Sequence, residues 1–315
     1  MRVLLLLATC FFISIPIGDA QVLDRNHIFI VGQDTQSINE FLSSLKNFPG
    51  IQDSHYPDGF MVYTAINDLR GLSDQVDQGA GVNFTDELIR AYPQYRVIQI
   101  GLFMRYMLKE VVSGGLDQNI SQLGQWIINS QKDVYLRIGY EFDNPENEYD
   151  PQEYIQAYRY IVDHLKAMNI PNVHFVWHSI GWKDKDWPDY EPLKWYPGDQ
   201  YVDWVAISFF DSERDVERDI AAALSRKLNK PLMIAESSPF KQYTVEGKLH
   251  WIKKLFSYIK NNDVRFLSYI NVNWDDLPLF QTQHWGDARL QNNPVLLGEF
   301  LHNIAQYRLI VPEVQ

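Results

Sequence analysis

Val134-Tyr-Leu-Arg-Ile138 runs into Gly139-Tyr140-Glu141, and the chain then reaches Asp150-Pro151-Gln-Glu153. Apart from Arg137 the first run is apolar on both parities, the pattern of a strand covered on both faces. Asp150 is an N-cap residue, Pro151 fits the first helical position and Glu153 is acidic where the helix begins. Tyr154, Ile155, Tyr158, Ile161, Val162 and Leu165 then share one face at helical spacing. A strand, a carboxylate-bearing loop and an amphipathic helix form the unit from which parallel sheets are built.

The unit recurs in both directions. Upstream lie His27-Ile-Phe-Ile-Val-Gly32, Gly59-Phe-Met-Val-Tyr63 and Arg96-Val-Ile-Gln-Ile-Gly101. Downstream lie Val173-His-Phe-Val-Trp-His178, Val202-Asp-Trp-Val-Ala-Ile207, Pro231-Leu-Met-Ile-Ala235 and Val264-Arg-Phe-Leu-Ser-Tyr-Ile270. Helical spacing follows most of them, as in Ser37 to Phe48 and the segment opened by Asn293-Pro294. Eight strands over this length predict one α/β domain, a (β/α)8 barrel spanning 21–315, rather than an open doubly wound sheet. Between Asn67 and Gln94 the second helix is poorly marked.

Residues 1–20 read as a secretory signal peptide. Met1-Arg2 is positive, Val3 to Ile17 is almost wholly apolar, and Gly18-Asp19-Ala20 supplies small residues at a cleavage site before Gln21. Cys10, the only cysteine, lies inside that peptide, so the remaining chain is expected to rely on packing rather than disulfides. Asn83-Phe84-Thr85 and Asn119-Ile120-Ser121 are glycosylation sequons consistent with export. A net charge of −12 argues against nucleic-acid or anionic-membrane partners. No later stretch is long and apolar enough to span a bilayer. The expectation is an extracellular monomer that acts on polysaccharide or oligosaccharide. Nine Trp and eighteen Tyr suit the apolar faces and hydroxyl rims of sugars.

In such a barrel the chemistry sits where strands end. Glu141 follows the fourth apolar run and Glu236 the seventh. A carboxylate directly after a buried strand is costly unless it is paired or functional. Two of them across a barrel mouth can flank a glycosidic bond, about 5–5.5 Å apart in retaining enzymes. Arg137, inside the barrel, needs a carboxylate partner. Glu236 is one candidate, whose charged form it would favour; an ordinary structural ion pair is another.

The chain resembles glycoside hydrolase family 26, the β-mannanase family, within the clan of barrel glycosidases. Gly32-Gln33-Asp34, Tyr135-Leu-Arg-Ile-Gly-Tyr-Glu141, Trp195-Tyr-Pro-Gly-Asp-Gln-Tyr-Val-Asp-Trp-Val205 and Leu232-Met-Ile-Ala-Glu-Ser-Ser238 carry the resemblance, in an order that spans about 27–307. It implies a retaining glycosidase in which Glu141 is the general acid/base and Glu236 the nucleophile. Departures accompany it. Tyr140 stands where mannan-cleaving members usually have His, and Phe209-Phe210 where the family often places a Tyr that orients the nucleophile.

Further sugar-contacting candidates are Asp34 (or a helix cap), Tyr140, Asp143, Trp177, His178 (or a buried, hydrogen-bonded His), Phe209, Arg137 and Trp274 (a sugar platform or rim packing). Asn147 is placed beside Glu141, and Trp182, Trp187 and Trp195 line outer subsites or pack. No metal-ligand spacing, phosphate loop or Gly-x-Ser-x-Gly motif occurs, so no cofactor is implied. A carbohydrate-binding protein on a catalytically impaired glycosidase barrel is the alternative, motivated by Tyr140 and Phe209.

Overall fold

The computed structural model describes residues 22–23, 27–181, 191–213 and 215–310. The expected signal peptide and cleavage site, Trp182 and Trp187 lie outside the described residues. Among those described, no helix is long and apolar enough to cross a membrane.

Eight parallel strands close into a barrel: β1 (Ile28–Gly32), β2 (Gly59–Ala65), β3 (Val97–Phe103), β4 (Asp133–Ile138), β5 (Val173–Ser179), β6 (Trp204–Phe209), β7 (Leu232–Ser237) and β8 (Val264–Ile270). Each pairs with its sequence neighbours, and β8 returns to β1. The helices are α1 (Thr35–Asn47), α2 (Thr85–Ala91), α3 (Leu108–Val112), α4 (Asp117–Ser130), α5 (Pro151–Ala167), α6 (Asp215–Leu228), α7 (Val245–Asn262) and α8 (Pro294–Arg308). Asp150 caps α5 as its sequence predicts, its side chain accepting from the N–H groups of Gln152 and Glu153.

Side-chain parity sorts the core into two layers. Phe29, Val31, Phe60, Val62, Leu136 and Ile234 face outward and meet the helices. Ile28, Ile30, Met61, Val97, Tyr135, Val176, Ala206, Met233 and Phe266 fill the barrel. Towards the C-terminal ends of the strands the inward positions turn polar: Gln99, Arg137, His178, Ser208 and Ser268 are all buried. Buried polar groups need partners, so this layer is a hydrogen-bonded floor beneath the barrel mouth. The weakly marked stretch after β2 holds a small antiparallel pair, Val76–Asp77 with Val82–Asn83, ahead of α2.

Candidate active site

Gly139 (φ +56°) and Glu141 (φ +50°) both take the left-handed conformation just past the end of β4. For a glutamate this costs about 1–2 kcal/mol, and such outliers cluster at functional sites. Asn147 holds the turn by donating from Nδ2 to the carbonyls of Tyr140 (3.0 Å) and Glu141 (2.8 Å). The half-buried Glu141 carboxyl accepts from Ser208 Oγ at Oε1 (2.6 Å) and from Asn144 Nδ2 at Oε2 (3.1 Å). Burial, and then the charge of Glu236, push its pKa up to about 8.

Glu236 reaches the same place by a different route. On β7, Met233 and Ala235 face the barrel interior, so strict alternation would turn Glu236 outward to the helices. The pairing with β6 shifts register between Ile234 and Glu236. An irregularity of this kind re-aims a side chain, and here it turns the carboxylate into the mouth. Glu236 Oε1 accepts from the fully buried Arg137 guanidinium and from Tyr63 Oη (2.8 Å). The guanidinium lies over the rings of Tyr63 and Tyr140, 5.1 and 5.2 Å from their centroids. Gly101 on β3 makes room for this packing. A Cβ there would come within 2.5 Å of Tyr63 Cδ1 and 2.8 Å of Arg137 Nη2.

Both glutamates line one cleft of about 540 Å³. Phe210, Trp274, Phe280 and Trp285 form an aromatic cluster on it, with ring centroids 4.6–6.2 Å apart. Trp274 is fixed by donating from Nε1 to Ser238 Oγ (2.9 Å). Gln33, Gln78, Asn83, Asn144, Asn147 and Gln283 add neutral amides to the lining. Arg105 and Glu146 also lie on the lining. Aromatic faces beside amide donors and acceptors match a sugar. A larger hollow of about 880 Å³ between α7 and α8 borders His27 and Val264, at the N-terminal ends of β1 and β8, away from the strand-end carboxylates.

Of the candidates read from sequence, Glu141, Glu236, Tyr140, Asn147 and Trp274 line the cleft. The structure gives each of the other described candidates a place of its own, and Asp34, Arg137 and His178 take the cap, the ion pair with Glu236 and the buried hydrogen-bonded position that their sequence also allowed. Asp34 caps α1, its Oδ1 accepting from the N–H groups of Gln36 and Ser37. Asp143 accepts from Ser179 Oγ (2.6 Å) and Ile180 N (2.8 Å), tying the loop to β5, and burial pushes its pKa up to about 6. Trp177 stacks on Phe142 at 4.7 Å in the core, and its Nε1 donates to the carbonyl of Trp195. Arg137 and His178 are fully buried and contact the carboxylates' partners or the carboxylates themselves rather than the cleft. Phe209 points out of the barrel against Trp251 and Arg218, and its neighbour Phe210 lines the cleft instead. Asn83, read as a glycosylation site, is largely buried on the cleft lining, and its Oδ1 accepts from the N–H of Tyr63 (3.0 Å). Asn119 is only partly buried, its Nδ2 donating to the carbonyl of Asn67.

The family model of glycosyl hydrolase family 26 matches residues 139–267, the segment carrying Glu141, Ser208 and Glu236. The chain is a glycoside hydrolase similar to family 26. It is 27% identical to a β-1,3-xylanase of an Alcaligenes species over 96% of this chain and 69% of that protein. A β-1,3-xylanase of a Vibrio species is similar at 27% identity over 96% and 70%. In fold it is similar to a β-mannanase from Bacteroides ovatus, with a TM-score of 0.60 at 14% identity, covering 89% of this chain and 88% of that one.

One residue in contact with Glu236 escaped the sequence reading. The phenol that the resemblance led us to seek after β6 comes from β2, as Tyr63. The signal was parity: Tyr63 shares the inward face of Met61, but the run ended there and left its direction unread. With a hydroxyl already on Glu236, Phe209 no longer argues for an impaired barrel. Tyr63→Phe removes one hydrogen bond to a charged group, a loss of about 1.5–3 kcal/mol. The expected result is a fall of about 10- to 100-fold in kcat/KM together with a lowered unfolding temperature, read by steady-state kinetics and thermal unfolding.

Proposed function

We propose that this chain is a secreted retaining β-glycoside hydrolase acting on a neutral β-linked polysaccharide, with β-1,3-xylan the first substrate to test. The observation that carries the reading is the pair of strand-end glutamates in one cleft with opposite surroundings. Glu236 sits against a guanidinium and a phenol, which stabilise a carboxylate. Glu141 is pushed towards its protonated form. The residues 1–20 support export, and the full-length likeness to two β-1,3-xylanases selects the first glycan.

In this mechanism a Glu236 oxygen attacks the anomeric carbon. The glycosidic C–O bond breaks, and the Glu141 proton passes to the departing oxygen. The ester so formed has no charge on Glu236. Glu141, left as a carboxylate by that proton transfer, no longer feels the charge of Glu236; it stays ionised until it draws a proton from the incoming water. That water attacks the same carbon, the ester bond breaks, and both carboxyl groups return to their starting forms.

Activity needs Glu141 protonated, so kcat/KM is expected to fall as pH rises through about 8. Proton NMR of early products should show the β-anomer first. An α-anomer appearing first would mean single displacement and end the retaining assignment. Failure to cleave β-1,3-xylan, with cleavage of mannan or β-glucan, would replace the substrate and leave the mechanism standing.

A further inference from the structure

A chain of side chains runs beneath the cleft from one glutamate to the other. Arg137 Nη1, which holds Glu236, also lies 3.3 Å from His178 Nδ1; His178 Nε2 lies 3.1 Å from Ser208 Oγ; and Ser208 Oγ lies 2.6 Å from Glu141 Oε1. Arg137, His178 and Ser208 are each nearly or wholly excluded from solvent. The direction of every bond follows from chemistry. A guanidinium has donors only, so His178 Nδ1 accepts. The imidazole, held neutral by burial and by Arg137, then carries its one proton on Nε2 and donates it to Ser208. Ser208 Oγ accepts from His178, so its own hydrogen is left to donate, and it donates to Glu141 Oε1. An oxygen that accepts at this distance is a poor site for the acid's own proton.

We propose that His178 and Ser208 are positioning residues that give this relay a single direction and confine the catalytic proton of Glu141 to Oε2. Oε2 is the oxygen beside Asn144, a cleft-lining residue. Protonated, it accepts from Asn144 and donates to the leaving oxygen; ionised, it takes the proton of the incoming water. The relay thus selects one oxygen for both half-reactions and links the acid's geometry to the cation that holds the nucleophile. The inference rests on the acid/base assignment of Glu141 made above.

The charged and titratable groups around Glu141 are Glu236 on β7, Asp143 on its own loop, Tyr140 beside it, Arg137 on β4, Tyr63 on β2 and His178 on β5. Ser208→Ala removes a donor to the carboxylate and keeps all of these. His178→Phe removes the donor to Ser208, whose hydroxyl is then free to accept from Glu141 Oε1. Both changes favour the protonated carboxyl, so the basic limb of the kcat/KM profile is expected to move to higher pH. The proton is also less well placed. On polysaccharide, kcat should fall about tenfold or more, a part of the roughly 10²–10⁴-fold that general acid catalysis contributes. On a dinitrophenyl glycoside, whose leaving group needs little protonation, the fall should be clearly smaller. Ser208→Thr, which keeps the hydroxyl, and His178→Gln, whose amide can accept at one end and donate at the other, should restore both readouts in part.

The relay is overturned if Ser208→Ala leaves the basic limb in place and lowers both substrates by the same factor. Should His178→Phe not fold in thermal unfolding, Ser208→Ala decides alone. Glu141→Gln in parallel separates the two claims. If it is inactive on polysaccharide while Ser208→Ala behaves as wild type, only the relay fails; if Glu141→Gln keeps full activity, the acid assignment fails and the relay with it.

Discussion

Glu236→Ala is expected to lower kcat on polysaccharide by about 10⁴-fold or more, the scale of losing a nucleophile. Added azide should restore turnover of a dinitrophenyl glycoside and yield the α-glycosyl azide. The anion fits the space vacated by the carboxylate and attacks the face of the sugar opposite the leaving group. Glu141→Ala should respond differently. An activated glycoside still forms its ester with Glu236, and azide then attacks that ester from the other face to give the β-glycosyl azide. The two variants form a matched pair because the structure gives their carboxylates different neighbours: guanidinium and phenol at Glu236, hydroxyl and amide at Glu141. Mass spectrometry and NMR of the azides read the result. A β-azide from Glu236→Ala would reverse the two roles.

How much of this was legible beforehand follows from local rules. The eight apolar runs each became a barrel strand, because strands covered on both faces need continuous apolar sequence. Asp150-Pro151 marked the start of α5 because capping chemistry is local. The two glutamates stood out because carboxylates at strand ends are rare without a purpose. Direction was harder to read. The sixth run was taken to end at Ile207, whereas β6 continues to Phe209. Those added residues send Ser208 inward and Phe209 outward, so the serine on Glu141 was missed and the phenylalanine over-read. At β7 the opposite holds: counting alternate residues would have discarded Glu236, and only a register shift set by pairing with β6 turns it inward. Asn83 shows the same limit. Its triplet says sequon, and only the tertiary fold shows its amide oxygen accepting from the backbone of Tyr63.

Arg137→Met is expected to be the most destabilising single change in the site. The guanidinium has no solvent exposure, and its departure leaves Glu236 buried without its cation. Breaking a buried pair from one side costs about 3–5 kcal/mol, because the remaining charge is uncompensated. Activity should be lost as well, since Glu236, the proposed nucleophile, and His178 lose the same donor. A double-mutant cycle separates the pair's worth from the cost of the orphaned charge. Arg137→Met combined with Glu236→Gln removes both charges and should be more stable than Arg137→Met alone. Arg137→Lys keeps the charge but offers no planar guanidinium to lie over the Tyr63 and Tyr140 rings while one nitrogen reaches both Glu236 and His178, so it should recover stability better than activity. Denaturant unfolding gives the stabilities. If Arg137→Met were no less stable than the double variant, the buried carboxylate would not depend on the cation, and the electrostatic account of Glu236 would have to be replaced.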